Sequence, residues 1–199
     1  MLNVYLLRHG ETQYNAEGNK YCGRTDIDLT EKGVQQAELV RAQLEGMSFD
    51  AVYSSPLLRA KRTAQLASGI QEVTIDERLI EVDFGIWEGY TKEQFIPANP
   101  DLWESWKADP YHNRAGENGE SGEYILSRLN SFYNDLVQKH PNGNVLVVGH
   151  NGINRLFLAH KLGMPLKNYQ KLVQQNSSIT RFELDEQGEL SLNLLNSKL

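Results

Sequence analysis

The sequence predicts an α/β protein, with helices on both faces of a mostly parallel sheet, and two observations support this prediction. Short apolar runs with strand character alternate along the chain with longer segments whose apolar residues recur at helical spacing. The run 144–149 is almost continuously apolar, which is typical of a strand buried on both faces of a parallel sheet. Ligands of such sheets bind at the carboxyl ends of the strands, so residues that follow a strand are the first candidates for a site.

The first half of the chain is predicted to form three short strands and two helices around a polar loop. Ser55 is a suitable N-cap and Pro56 a suitable first residue for the second helix, which places Arg59 in its first turn. Unpaired N–H groups and the helix dipole favour an anion at that turn. The predicted bounds are 4–7, 49–53 and 73–75 for the strands, 31–44 and about 56–67 for the helices, and 11–28 for the loop.

The second half is predicted to begin with a lid-like insertion at about 90–120, which contains a short helix near 101–107. Its aromatic residues either pack together or contact a substrate, and the sequence leaves both interpretations open. A long helix then starts at Ser121 or Gly122, with Tyr124 counted on its apolar side, and ends before Pro141. The remaining predicted elements are strands at 144–149, 178–184 and 190–195 and a helix from 151 to about 162.

Composition narrows the class of protein and of partner. The 199 residues carry a net charge of −6 and a single cysteine, Cys22, so no internal disulfide can form. The length fits one domain, predicted to span residues 1–199. An acidic chain argues against nucleic acid as the main partner, and no apolar run approaches the roughly 20 residues that span a bilayer. With no apparent signal peptide, we expect a cytoplasmic protein that does not bind membranes; whether it is a homo-oligomer is left open.

Three predicted strands end on residues that suit phosphate chemistry. Arg8 and His9 follow the first strand, Arg59 lies in the turn after the second, and His150 follows the buried strand. If these strands are neighbours, two arginines and two histidines converge on one small volume. Guanidinium groups match phosphate oxygens, and a neutral imidazole is a competent nucleophile towards phosphorus.

This constellation predicts phosphoryl transfer. His9 would attack in line and become phosphorylated, while Arg8, Arg59 and His150 hold the equatorial oxygens. The leaving alkoxide needs a proton, for which Glu81 is the preferred donor; Glu88 is its rival. Water would then hydrolyse the phosphohistidine, with the same carboxyl group as base.

The chemistry needs no metal, and none is predicted. Asp26 and Asp28 suggest a cation site, but without a third ligand at suitable spacing they are more typical of turn and helix-entry residues. Glu11 and Thr12 are read either as ligands or as residues that position their loop. The sequence favours surface or helix-end roles for His112, His140 and His160, and salt bridges for Arg62 and Arg155.

Several blocks of the chain together resemble the histidine phosphatase superfamily, in its phosphoglycerate mutase-like branch. The resemblance covers essentially the whole chain, and the order and spacing of its motifs agree. The blocks are Leu-Leu-Arg8-His9-Gly10-Glu11-Thr12, Asn15, residues 23–30, Ser54-Ser55-Pro56-Leu57-Leu58-Arg59-Ala60, residues 79–89 and Val148-Gly149-His150-Asn151-Gly152.

The resemblance implies a three-layer α/β/α sandwich and assigns roles to residues. His9 is then the phosphorylated nucleophile, Glu81 the proton donor and acceptor, and Asn15 a phosphate contact. Cys22 stands where the family often has a glutamine in the substrate loop, so the contact made there should differ. Asn151 stands where a small glycine is common, so its side chain should narrow the pocket. The substrate-binding set implied is Arg8, Asn15, Cys22, Gly23, Arg59, His150 and Asn151.

Two enzymatic functions and one non-catalytic function follow. The first is hydrolysis of phosphomonoesters of small metabolites, without a cofactor. The second is a phosphoglycerate mutase, which would need 2,3-bisphosphoglycerate; the compact insertion between Glu81 and His150 favours hydrolysis instead. The third is a non-catalytic phospholigand-binding protein, which should lack at least one of the core residues, whereas all are present.

Overall fold

A six-stranded sheet forms the centre of the protein, whose computed structural model describes residues 1–198. Leu199, the last residue of the predicted domain, lies outside the described residues. The strands are β1 (Leu2–Arg8), β2 (Ala51–Ser54), β3 (Thr74–Ile75), β4 (Gly143–Gly149), β5 (Ile179–Leu184) and β6 (Leu190–Ser197). The helices are α1 (Gln13–Ala16), α2 (Glu31–Gln43), α3 (Leu58–Ser68), α4 (Lys92–Ala98), α5 (Pro100–Ala108), α6 (Gly122–Lys139) and α7 (Asn151–Lys161). Short 3₁₀ helices cover Glu77–Leu79, Gly85–Trp87 and Leu166–Lys171.

The strand order is β3-β2-β4-β1-β5-β6, and the first four strands in this order run parallel. β5 and β6 are antiparallel additions at one side. In the registers, Arg8 pairs with Gly149 and Ser54 pairs with Val148. The carboxyl ends of β1, β4 and β2 therefore lie side by side, as the predicted site requires.

Two apolar layers cover the sheet. Alternate side chains of β1 point to opposite faces, so Val4 and Leu6 join one cluster while Tyr5 and Leu7 join the other. The first cluster packs under α6 and α7, and the second under α2 and α3. This is the expected three-layer α/β/α sandwich, and the fold-class prediction is confirmed.

The start of α3 differs from its prediction. The helix begins at Leu58 with Leu57 as N-cap, and Ser55 and Pro56 lie in the preceding turn. The expected anion at this helix end is a side chain of the protein itself, because the Leu58 N–H donates to Asp26 Oδ1 at 2.8 Å. Asp28 forms an ion pair with Arg62 at 2.6 Å. Both aspartates organise the loop, as the turn interpretation proposed.

Other differences concern short or exposed segments. The polar loop contains α1, which the sequence did not predict, and the region at 90–120 contains α4 in addition to the expected short helix. The 3₁₀ helix Leu166–Lys171 was also missed. Tyr124 is 61% exposed, so its assignment to the apolar side of α6 is wrong.

The aromatic residues of the region at 90–120 are mostly packing residues. Phe95, Trp103 and Trp106 are buried in the core cluster with Trp87, and their rings meet at centroid distances of 4.9–6.3 Å. This resolves the open alternative in favour of packing for those side chains. No helix among the described residues is both long and apolar enough to cross a membrane.

Candidate active site

A cavity of about 340 Å³ opens at the carboxyl ends of the strands and gathers most of the predicted site. It is lined by Arg8, His9, Asn15, Cys22, Arg59, Glu81 and Asn151. His150 is fully buried beside His9, with 5.1 Å between the ring centroids, and is not among the lining residues. Gly23 contributes through its carbonyl, which accepts a hydrogen bond from Arg59.

His9 is held in one tautomer. Its Nδ1 lies 2.7 Å from the carbonyl oxygen of Gly10, which can only accept, so Nδ1 carries the proton. Nε2 is therefore the unprotonated nitrogen. Burial lowers the pKa of His9 well below its usual range, and the positive charges of Arg59 and Arg8 lower it further. The ring is thus neutral and nucleophilic near neutral pH.

Arg8 and Arg59 are buried cations whose donors are only partly satisfied. Arg8 Nη1 donates to the Gln174 carbonyl at 2.9 Å, while burial and then Arg155 lower the Arg8 pKa to about 10. Arg59 donates from its two terminal nitrogens to the carbonyls of Thr25 and Gly23, each at 2.8 Å. The Nε atoms of both arginines are buried and have no partner.

His150 adds a third unpaired nitrogen. Its Nε2 lies 2.7 Å from Ser55 Oγ, and its Nδ1 is buried without a partner. The pKa of His150 is well below its usual range because of burial, followed by the charge of Arg59 and the neighbouring His9. A neutral His150 can present a single N–H to an anion at the site.

Glu81 is fixed at the edge of the same cavity. Its Oε1 accepts from the backbone N–H groups of Val82 and Ile153 at 2.9 and 3.1 Å, and its Oε2 accepts from Gly152 at 3.0 Å. A Cβ on Gly152 would lie 2.6 Å from Glu81 Oε1, so the close approach of α7 requires glycine at this position.

Glu88, the rival acid, has a different task. Its carboxylate accepts from Arg24 N at 2.8 Å, from Thr25 N at 3.3 Å and from Thr25 Oγ1 at 2.9 Å. A Cβ on Gly23 would overlap this carboxylate, which explains the glycine there. Glu88 therefore secures the loop whose carbonyls receive Arg59, and does not line the cavity.

Asn15, Cys22 and Asn151, three residues of the predicted substrate-binding set, line the cavity. Asn15 Oδ1 accepts from Thr12 N, Thr12 Oγ1 and Asn176 Nδ2 at 3.1–3.2 Å, which leaves the amide N–H₂ group of Asn15 for the cavity. Cys22 is a neutral thiol, since burial raises its pKa to about 11. Asn151 Oδ1 is buried without a hydrogen-bond partner.

Glu11, Thr12 and the three histidines outside the motifs do not line the cavity, and each has contacts elsewhere in the protein. Glu11 pairs with Lys32 at 2.8 Å, and Thr12 and Asn15 form the capping box of α1, so both Glu11 and Thr12 position the loop. His112 lies on the surface beside Asp109, His140 ends α6, and His160 lies in the last turn of α7, as predicted.

The expected salt bridge of Arg155 is wrong. Its Nε donates to the Asn151 carbonyl at 2.9 Å, and its guanidinium lies 5.3 Å from the Tyr169 ring centroid, on the cavity wall. Lys92 also lines the cavity and was not singled out. The available signal for Arg155 was its spacing of four residues from Asn151, which places both side chains on one face of a helix that starts at the site.

No group of three or more metal-ligating side chains lies close enough together to hold a metal ion within residues 1–198. The chemically active groups described at this site are the cations, the imidazoles and the carboxyl group of Glu81. Together they offer a neutral nucleophile, a pocket of unpaired N–H donors for an oxyanion, and a fixed carboxyl group at its edge.

Comparison with known proteins gives a consistent result. The family model described as histidine phosphatase superfamily (branch 1) matches residues 4–197. Phosphoserine phosphatase 1 of Hydrogenobacter thermophilus is 32% identical over 98% of this chain and 92% of its own. The probable phosphoglycerate mutase GpmB of Cronobacter sakazakii is 31% identical over 94% of this chain and 86% of its own.

Solved structures agree. A phosphoserine phosphatase mutant from Entamoeba histolytica, in complex with phosphoserine, superposes with a TM-score of 0.89 at 33% identity, covering 99% of this chain and 98% of that one. The same TM-score and identity hold for phosphoserine phosphatase from that organism in complex with 3-phosphoglyceric acid, covering 100% of this chain and 98% of that one.

Proposed function

This chain belongs to the histidine phosphatase superfamily, and on that premise we propose that it hydrolyses phosphomonoesters of small metabolites through a phosphohistidine at His9. The substrate-binding set in this proposal is Arg8, Asn15, Cys22, Gly23, Arg59, His150 and Asn151, and Glu81 is the proton donor and acceptor. All of these residues except Gly23 and His150 line the cavity. The route uses no metal and no organic cofactor.

One observation supports this proposal more than any other. Arg8 Nε, Arg59 Nε and His150 Nδ1 are all buried without a hydrogen-bond partner, next to a histidine whose Nε2 is free. Each buried unpaired donor costs free energy of about 1–3 kcal/mol. A phosphoryl group bound opposite His9 supplies acceptor oxygens for all three donors, so substrate binding removes these penalties at the place where the reaction occurs.

In the first step, His9 Nε2 attacks phosphorus as the bond to the ester oxygen breaks. The oxygen leaves opposite the attacking nitrogen and takes a proton from the carboxyl group of Glu81. Arg8, Arg59 and His150 stabilise the charge on the equatorial oxygens, since their donors are already oriented before the substrate arrives.

In the second step, the alcohol has departed and water occupies its place. The Glu81 carboxylate removes a proton from this water as its oxygen attacks phosphorus and the bond to His9 breaks. Inorganic phosphate leaves, Glu81 holds the proton and His9 is neutral again, so the cycle closes without any other reactant.

Mutase activity is the second candidate, favoured by the similarity to a probable phosphoglycerate mutase. A mutase must retain the phosphoenzyme while its substrate reorients, and this requires that water be kept out of the site. The segment between Glu81 and α6 holds only the 3₁₀ helix Gly85–Trp87 and two short helices, α4 and α5, and from residues 90–120 only Lys92 and Glu93 line the cavity. So compact a cover supports hydrolysis.

A substrate panel tests the proposal. Phosphate release from a set of phosphomonoesters is measured in EDTA, beside 3-phosphoglycerate mutase activity with and without 2,3-bisphosphoglycerate. We expect metal-independent phosphate release to exceed mutase turnover, and His9→Ala to abolish both. Mutase turnover far above phosphate release would replace the first function with the second, and full activity in His9→Ala would remove the nucleophile from the proposal.

We further propose that the preferred substrate carries a carboxylate besides its phosphoryl group. Lys92 and Arg155 line the cavity beyond Arg8, and neither forms an ion pair within residues 1–198. Lys92 Nζ donates to Gln170 Oε1 at 3.0 Å, and burial, followed by the charge of Arg155, lowers its pKa. A second anionic group would offset this repulsion. Phosphoserine and 3-phosphoglycerate, the ligands in the two Entamoeba histolytica structures, each carry a carboxylate and a phosphoryl group.

Lys92→Gln tests the second anion. We expect its KM for phosphoserine or 3-phosphoglycerate to rise about 10-fold or more, because a charge-assisted hydrogen bond is lost. Its KM for p-nitrophenyl phosphate, which lacks a carboxylate, should stay unchanged. Lys107→Gln, which removes a surface lysine paired with Glu104 on α5, is the matched control. Equal changes with both kinds of substrate would argue against a carboxylate site.

A further inference from the structure

Ser55 is buried at the carboxyl end of β2 and touches a member of the proposed phosphate pocket without lining the cavity itself. Its Oγ lies 2.7 Å from His150 Nε2, and the same oxygen accepts the N–H of Leu57 at 3.3 Å. Its side chain has no solvent contact. The question is which of the two atoms in the Ser55–His150 pair carries the shared proton.

The hydrogen-bond inventory of Ser55 answers it. A hydroxyl has one proton to donate, and within residues 1–198 His150 Nε2 is its only acceptor. If Nε2 carried the proton, the serine hydroxyl would be left as a buried donor without a partner, which costs free energy. If the serine donates, its proton and the Leu57 N–H are both satisfied.

This assignment fixes the other side of the imidazole ring. His150 is neutral, so a proton absent from Nε2 must be on Nδ1. Nδ1 is the atom that is buried without a protein partner, 0% of His150 being exposed. In the opposite tautomer, Nδ1 would present a lone pair to the phosphoryl oxygens and repel them.

We infer that Ser55 is a positioning residue of the phosphoryl-transfer site, whose hydroxyl holds His150 in the Nδ1–H tautomer so that it donates to the phosphoryl group. This inference rests on the proposed function and adds to it a residue that makes no contact with the substrate. Ser55 acts only through His150. The hydrogen bond from Nδ1 is preorganised before binding, so its benefit is greatest in the transition state.

The tautomer can be measured in the unmodified protein. With ¹⁵N-labelled histidine, the five imidazoles give only five pairs of ring-nitrogen signals, and replacement of His150 by glutamine identifies the pair of His150. We expect His150 Nδ1 to have the shift of a protonated nitrogen and Nε2 that of an unprotonated one, in the free enzyme near neutral pH. A protonated Nε2 would overturn the inference without any reference to activity.

Ser55→Ala tests the consequence. We expect kcat to fall about 10- to 100-fold, the worth of one hydrogen bond to a charged group, with a smaller change in KM. Vanadate, as a transition-state analogue, should bind correspondingly less tightly, and the His150 spectrum should show loss of the single tautomer. Ser55→Thr, which keeps the hydroxyl, should restore the tautomer and most of kcat.

Ser54→Ala is the matched control. Ser54 is equally buried and adjacent, but its hydroxyl donates to the Ser55 carbonyl at 2.9 Å and not to His150. It should leave the His150 tautomer and kcat unchanged even if it destabilises the fold. If Ser55→Ala and Ser54→Ala alter kcat equally, or if Ser55→Ala leaves the tautomer and vanadate affinity intact, Ser55 has no positioning role. Failure of phosphatase activity in the unmodified enzyme would instead count against the proposed function, while the tautomer measurement would still stand.

Discussion

At the scale of single residues, two histidines in the same Nδ1–H tautomer present different ring nitrogens to the phosphoryl group. His9 donates from Nδ1 to a carbonyl, which leaves Nε2 as a nucleophile. In our inference His150 accepts at Nε2 from a hydroxyl, which makes Nδ1 a donor. The ring nitrogen that is hydrogen-bonded to the protein thus decides which nitrogen faces the phosphoryl group. His9 presents its lone pair at Nε2 for attack, and His150 presents its N–H at Nδ1 for binding.

Glu81 and Glu88 are the residues whose roles a paired experiment separates best. Glu81→Gln should lower kcat/KM about 10²- to 10⁴-fold for alkyl phosphates, because the leaving alkoxide loses its acid. The loss of kcat/KM should be smaller for p-nitrophenyl phosphate, whose leaving group needs no proton. The measurement compares kcat/KM for the two substrates, since kcat also contains the hydrolysis of the phosphohistidine, a step that both substrates share.

Glu88→Gln is the control for that comparison. Glutamine has the same length as glutamate and keeps one acceptor oxygen for the loop at Arg24 and Thr25. Any loss of kcat/KM should therefore be modest and equal for both substrates. A leaving-group dependence in Glu88→Gln, or none in Glu81→Gln, would exchange the two assignments.

Arg155 shows what the sequence could not supply at this scale. Helical spacing correctly placed it on α7, but an arginine in a helix usually pairs with an acid, and nothing in the sequence places Tyr169 beside it. Tyr169 lies eight residues beyond the end of α7, in the 3₁₀ helix Leu166–Lys171, and its contact with Arg155 is made only in three dimensions. By contrast, Arg8 and His9 were predictable because they lie where a strand ends, and Arg59 because it lies in the strand–turn–helix connection after the second strand.

At the scale of elements, α3 is hydrogen-bonded to the loop that carries His9, the proposed nucleophile. Thr63 Oγ1 accepts the N–H of Gly10 at 2.9 Å and donates to the Arg59 carbonyl one turn earlier at 2.7 Å. The helix therefore connects an arginine of the phosphate pocket with the residue that orients the His9 ring. The four-residue spacing of Arg59 and Thr63 places both on the face of α3 that meets β1.

Thr63→Val tests this connection with little change in volume. The Gly10 N–H would lose its acceptor in a buried position, and we expect the free energy of unfolding to fall by about 1–3 kcal/mol. Because the loop after β1 would shift, kcat should fall as well. Both are measured, by urea denaturation and steady-state kinetics.

Thr63→Ser keeps the hydroxyl and loses one methyl group, so it should retain the hydrogen bond and most of kcat. Equal losses of kcat in the valine and serine variants would mean that packing of the methyl group, and not the hydrogen bond, is what the loop requires.

Prediction of elements succeeded where a long apolar pattern existed and failed where short polar contacts decide. α6 and β4 have such patterns, and their bounds agree with the sequence to within one or two residues. α1 has only four residues and depends on a capping box between Thr12 and Asn15. The start of α3 moved to Leu58 because Asp26, 32 positions away in the chain, supplies the acceptor for its first N–H.

At the scale of the whole molecule, the sheet and its helical layers both assemble the site and bury it. The parallel pairing of β2, β4 and β1 brings His9, Arg59 and His150 together at strand ends, and the two flanking helical layers keep them away from water. Burial of two neutral imidazoles beside two arginines disfavours their protonation. The architecture that creates the nucleophile therefore also makes stability depend on pH.

The sign of this dependence follows from proton uptake on unfolding. His9 and His150 have lowered pKa values in the folded state, whereas the unfolded chain binds protons near pH 6.5. Their contribution to the free energy of unfolding is complete above that pH and is lost as the pH falls below it, by about 1.4 kcal/mol per pH unit for each histidine.

Urea denaturation between pH 7.5 and about 5, in a buffer without phosphate, measures the slope of this free energy against pH. His9→Gln and His150→Gln should each reduce this slope by the contribution of one proton, about 1.4 kcal/mol per pH unit. His112→Gln, on the exposed surface, serves as the control. Stability that does not change with pH across this range would mean that neither imidazole is held neutral by the fold, and the nucleophile would then lose the origin of its reactivity.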